Sequence, residues 1–142
     1  MQEYLSLNQN KRQKITKKVK QILSAEKDVV FGFIFGSFLD APSFRDIDIG
    51  IYVDSIRENE VFDYELKLSK KIADECDFSF DIFDVKVLNF APSHFLNNIF
   101  SRGKLISCKN RQLLSAMIER TSLDAVSNEH IVHQSLKELV PA

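Results

Sequence analysis

The chain is 142 residues long, 44% apolar and 27% charged, enough for one folded domain and too little for a second core. Its 19 Lys and Arg nearly cancel 20 Asp and Glu, for a formal charge of -1. There is thus no overall field to draw in nucleic acid or an anionic membrane, and direct nucleic-acid binding is not expected. Two cysteines, Cys76 and Cys108, exclude a disulfide framework and lack CxxC spacing, which points to reduced thiols in a cytoplasmic protein.

The polar start of the chain has no apolar centre of a secretory signal. The longest mainly apolar run, 29–39, contains Gly32, Gly36 and Ser37 and is shorter than the roughly 20 residues a spanning helix needs. No membrane segment is expected.

Over 10–25, Ile15, Val19, Ile22 and Leu23 form one stripe of an amphipathic helix. The other face carries Lys11, Arg12, Lys14, Lys17, Lys18 and Lys20, a solvated basic face unless an anionic ligand lies beside it. Residues 29–35 are β-branched or aromatic on both parities, the pattern of a central strand covered on two faces. Gly36-Ser37 ends that strand. After a loop with Pro42, residues 46–53 alternate, with Ile47, Ile49, Ile51 and Val53 on one parity and Asp46, Asp48, Gly50 and Tyr52 on the other.

Val61, Leu68, Ile72 and Cys76 suggest a helix over 58–76, and Phe78, Phe80 and Ile82 a strand over 78–87. Pro92 marks a loop, Ser93 is expected to cap a helix over 94–101, and Arg102-Gly103 closes it. Residues 104–108 read as a short strand. Leu113, Leu114, Met117 and Ile118 place a helix over 111–126, and Ser127-Asn128 reads as the cap of a last helix with Ile131, Val132, Leu136 and Leu139. With no repeat or compositional break, residues 1–142 form a single α+β domain, a small mixed β-sheet with helices on one side. C-terminal helices begin at about 109.

The chemistry concentrates between Phe35 and Val53. Asp46 and Asp48 lie two apart on a strand, so their carboxylates emerge on one face with Cα atoms roughly 6 to 7 Å apart. Like charges that close suit a cation, and an incomplete oxygen set suits Mg²⁺ bound jointly with phosphate. By itself a DxD also fits the solvent side of an edge strand. The Gly36-Ser37 bend adds backbone N–H groups and a hydroxyl that can approach phosphate oxygens. Strand parity then selects a third carboxylate. With Phe78, Phe80 and Ile82 facing the core, Asp81 points the way Asp46 and Asp48 do, whereas Asp84 has the opposite parity and reads as a solvated strand end.

Other features read as structure. His130 and His133 are i, i+3 beside Glu129 but lack a further ligand, His94 begins a helix, and the phenylalanines belong to the core. Tyr52 shares the parity of the carboxylates and would lie on their side of the strand.

Gly36-Ser37, Asp46-Ile47-Asp48 and Asp81 within Phe80-Asp81-Ile82-Phe83 resemble the GS…DxD…D signature of the DNA polymerase β-like nucleotidyltransferases. The short chain is similar to their minimal (MNT) branch, many of whose members are antitoxins paired with a HEPN ribonuclease toxin. The resemblance implies that Asp46, Asp48 and Asp81 hold two Mg²⁺ ions and that Gly36 and Ser37 hold the phosphates of ATP. AMP would pass to a hydroxyl, a tyrosine, of a HEPN-type toxin. Family members usually carry an Arg and often a Gly just after the GS pair; here Phe38, Leu39 and Asp40 follow. Arg45 or a lysine of the basic helix is then the candidate nucleotide-binding cation. A non-catalytic antitoxin that neutralises by binding, and nucleotidyl transfer to a small-molecule alcohol, are the alternatives. Whether the apolar last helices form a homo-oligomer contact or bind the partner stays open.

Overall fold

The strand Val29–Phe35 (β1) is buried along most of its length and sits inside a four-stranded sheet of order β3-β2-β1-β4. In this computed structural model residues 7–78 and 80–139 are described, with side chains as far as 126 except those at 80 and 125. β2 (Ile47–Val53) and β4 (Lys104–Cys108) run antiparallel to β1, and β3 (Phe83–Val87) runs parallel to β2. The helices are α1 (Gln9–Ala25), α2 (Ser37–Asp40), α3 (Val61–Cys76), α4 (Ser93–Arg102) and α5 (Arg111–Leu139). Asn8 caps α1, its side-chain oxygen accepting from the backbone N–H of Lys11 at 2.9 Å.

Two apolar clusters explain why β1 is greasy on both parities. Ile15, Val19, Ile22 and Leu23 of α1 and Leu68, Ile72 and Ala73 of α3 pack on Ile47, Ile49, Ile51, Phe83 and Val85. Ile47, Ile49 and Ile51 are fully buried, each contributing about 1.5 to 3 kcal/mol. On the opposite face Leu96 and Ile99 of α4 and Leu114 and Met117 of α5 pack on Phe31, Phe33 and Leu88. Helices therefore cover both faces, not one. The polar parity of β2 pointed to an open face, but odd positions of β1 bring phenylalanines there and α4 and α5 cover them.

Three further expectations change. The third strand starts at Phe83, because residues Phe80–Ile82 form a 3-10 turn that carries the chain from α3 into the sheet. Asp77, in the left-handed conformation at φ 59°, ends α3, and the Phe78 ring packs edge-on against Phe83 at 6.2 Å. Ser93 lies inside α4, with Pro92 at the cap, and its hydroxyl donates to Asp124 of α5 at 2.9 Å. α5 passes through Ser127-Asn128 unbroken. Neither glycine nor proline interrupts it, and Ser or Asn within a helix costs only about 0.5 kcal/mol relative to Ala. The side chains of Phe80, His130, His133 and the apolar residues 131–139 lie outside the described set.

At the far end of β2, Asn89 fastens the chain leaving β3. Its side-chain oxygen accepts from the Val53 N–H at 2.9 Å and its amide donates to the Val53 carbonyl at 2.6 Å. Cys76 and Cys108 are free and half-buried. Among the described residues no helix is long and apolar enough to cross a membrane.

Candidate active site

The site forms where β1 ends beside the start of β2. Phe35 pairs with Asp48 across the two strands, and the next residue, Gly36, turns the chain at φ +84°. A side chain at position 36 would be strained by that backbone, and a Cβ there would stand 2.5 Å from Asp48 Oδ2. Gly36 is the N-cap of α2, so the exposed Ser37 opens a short helical turn immediately after the bend.

The segment after this bend is held from beneath. Phe38 and Phe44 are buried and pack edge-to-face at 5.0 Å. The Arg12 guanidinium lies 5.5 and 5.0 Å from their ring centroids. It also donates to the carbonyls of Leu7 at 3.1 Å, Phe38 at 2.6 Å and Pro42 at 2.6 Å. Arg12 is therefore part of the loop's foundation and not of a solvated basic face, while Lys11, Lys14, Lys17, Lys18 and Lys20 are exposed. A planar cation with five donors in a fixed fork suits that task.

The carboxylates come from two parallel neighbours. Asp48 of β2 pairs in register with Asp84 of β3, which brings the two carboxyl groups close enough to repel. Burial pushes the Asp48 carboxyl up to about 6, and the charges of Asp84 and then Asp46 push the same way. Asp46, half-buried, immediately precedes β2. Lys86 Nζ stands 3.7 Å from Asp84 Oδ2 in a solvated pair.

Asp81, which strand parity selected, lies exposed on the 3-10 turn and outside the strand. The strand it was assigned to begins two residues later, which reverses the parity argument and puts Asp84 beside Asp48. The strict alternation of Phe83-Asp84-Val85-Lys86-Val87 was the signal for this, masked by the apolar residues just before it. Tyr52 stacks on Phe31 at 5.4 Å and 14° and belongs to the packed face under α4 and α5. Arg45 is exposed, one residue before Asp46.

Among the described residues no three His, Cys, Asp or Glu side chains converge closely enough to hold a metal ion by themselves. The donor chemistry nevertheless fits a hard divalent cation. Asp46, Asp48 and Asp84 offer only oxygen, and their repulsion is relieved by positive charge. An incomplete oxygen set is what Mg²⁺ uses when phosphate oxygens supply the remaining ligands.

Residues 17–112 match the family described as polymerase beta, nucleotidyltransferase. The chain belongs to this nucleotidyltransferase family. No curated protein matches it in sequence. Its fold is similar to that of an MntA–HepT toxin–antitoxin structure, with TM-score 0.57 and 18% identity over 95% of this chain and 100% of the other. A toxin–antitoxin structure with AMP-PNP gives TM-score 0.62 and 19% identity over 89% and 98%. A third, from Shewanella oneidensis, holds a tri-AMPylated HEPN toxin in complex with an MNT antitoxin, with TM-score 0.56 and 19% identity over 96% and 100%. The family match spans the Gly36 bend, Asp46, Asp48 and Asp84, while Arg12, which supports the bend, lies before its first residue.

Proposed function

We propose that this chain is an antitoxin that transfers AMP from ATP, with two Mg²⁺ ions, to a tyrosine hydroxyl of a HEPN-type ribonuclease toxin in the cytoplasm. The observation that carries this reading is the close approach of Asp48 and Asp84 beside the Gly36 bend, with Asp46 adding to their repulsion. The likeness to MNT antitoxins supports the choice of partner.

Asp46 and Asp48 would hold the metal together with Asp84, which takes the place that strand parity gave to Asp81. Bound Mg²⁺ would offset phosphate charge and make the α-phosphorus more electrophilic. The Gly36 N–H and the Ser37 hydroxyl would donate to β- and γ-phosphate oxygens, with Arg45 as the nearby cation. Asp84 accepts the proton of the incoming hydroxyl. The hydroxyl oxygen then bonds to the α-phosphorus, the bond from that phosphorus to the bridging oxygen breaks, and pyrophosphate leaves with the electron pair.

A binding-only antitoxin is the second reading. It is favoured by Phe38, buried where related enzymes carry a cation for the triphosphate. The test is to purify the chain with a HEPN-type protein encoded beside it, add ATP and Mg²⁺, and weigh the partner. The transferase reading expects increments of one AMP. An unmodified partner that is nonetheless inhibited in the complex would establish the second reading instead.

A further inference from the structure

β3 is one of the two edge strands of the sheet, and its outer side faces a groove. The groove has a volume of about 290 Å³ and runs between α3 and β3. One wall is apolar and open to solvent, since Phe62 is 68% and Leu66 40% exposed. The rest of the lining combines three carboxylates, Glu65, Asp81 and Asp84, with Ser69, Phe83 and Val85. Phe62 and Leu66 are four apart on α3 and so present one continuous surface.

The backbone adds directionality. In β3 the Leu88 N–H turns inward to the Ile51 carbonyl at 2.7 Å, while the Val87 N–H turns outward, where Glu65 accepts it at 2.8 Å. Alternation then turns the Val85 N–H outward as well, into the groove that Val85 lines. Among the described residues no strand pairs with that side. An edge of this kind recruits an extended segment of another chain, with main-chain bonds giving affinity and side-chain pockets giving selectivity.

We propose that this groove is the acceptor subsite, and that it takes an extended segment of the acceptor protein alongside Phe83–Val87. The segment sets an apolar side chain on Phe62 and Leu66, directs cationic side chains toward Glu65 and Asp81, and delivers its hydroxyl across the edge of β3 to Asp84. Charge complementarity selects the occupant, because the lining has three carboxylates, of which Asp84 has Lys86 beside it while Glu65 and Asp81 form no ion pair among the described residues. The proposal rests on the nucleotidyltransferase reading and adds to it the local chemistry of the acceptor.

The test uses the full chain and synthetic peptides of about ten residues with one central tyrosine, flanked either by leucine and lysine or by leucine and glutamate. AMP incorporation is followed by mass, and ATP–Mg²⁺ binding is followed separately by the rise in melting temperature. The lysine peptide is expected to be labelled at least about tenfold more efficiently than the glutamate peptide. N-methylation of a strand-pairing amide in it is expected to remove most of the labelling.

The Phe62→Lys/Leu66→Lys variant is expected to raise KM for the lysine peptide about tenfold with an unchanged ATP–Mg²⁺ response. Phe62→Ser, a milder change at an exposed site, is expected to raise it about threefold. Equal use of the two peptides, no labelling of either by a chain that binds ATP, or an unchanged KM in both variants overturns the groove and leaves the nucleotide site standing. A wild-type chain whose melting temperature ignores ATP and Mg²⁺ overturns the reading beneath it.

Discussion

Gly36 leaves room for Asp48: the space a Cβ would take at position 36 is occupied by Asp48 Oδ2, 2.5 Å away. The bend and the carboxylate therefore constrain one another. Gly36→Ala should displace the Asp48 side chain and also force a non-glycine residue to φ +84°, for a loss of about 1 to 2 kcal/mol. Thermal denaturation would record the loss. The variant should also no longer be stabilised by ATP with Mg²⁺, and an unimpaired response would show that the bend is not part of the nucleotide site.

The Asp48 carboxyl gives the empty protein a pH dependence. Its ordinary value of 3.8 rises to about 6 in the folded chain, so the native state binds more protons than the unfolded state across that window. Stability is accordingly expected to fall as pH rises from 3.8 to about 6. Because Asp48 is only half-buried, solvent screening reduces the effect to about 1 kcal/mol. Asp48→Asn should melt above the wild type at pH 8 and level with it near pH 4, while losing AMP transfer. A variant that melts lower at pH 8 would contradict the like-charge account.

Asp84 and Asp81 can be told apart by activity. Asp84→Asn should lower AMP transfer roughly a hundredfold or more, since it removes both a metal oxygen and the proton acceptor. Asp81→Asn lies on the exposed turn and should change kcat by less than about threefold, with its effect on KM for the acceptor. The reverse pattern in single-turnover kinetics would restore Asp81 as the third carboxylate.

Arg12 should matter well beyond its own helix. Arg12→Ala removes three donations to backbone carbonyls and two ring contacts beneath α2, a loss of about 2 kcal/mol. Arg12→Lys keeps the charge but not the planar fork and should recover less than half of it. Chemical denaturation of the three proteins would measure this. Proteolysis between Gly36 and Arg45 should accelerate in step with the loss of stability.

The sequence made some elements plain and others not, for reasons that lie in particular residues. Alternation in Ile47–Val53 is strict, so β2 and the placement of Asp48 could be read directly, as could the two-faced burial of β1. Phe78, Phe80 and Ile82 imitate the same period, yet Asp77 and the 3-10 turn use them to turn a corner. An aromatic-rich corner and a strand have the same local pattern, and only the neighbouring strand decides between them. Arg12 was hidden among lysines because its partners lie 26 and 30 residues away. The unbroken α5 was missed because Ser-Asn favours a cap without requiring one.

The grip of Asn89 on Val53 fastens together two parts of the chain that are 36 residues apart. With both backbone groups of Val53 held by one side chain, the chain entering α4 departs from a fixed point on the sheet. Asn89→Ala would free the start of that segment while leaving the Gly36 bend and its Arg12 support in place.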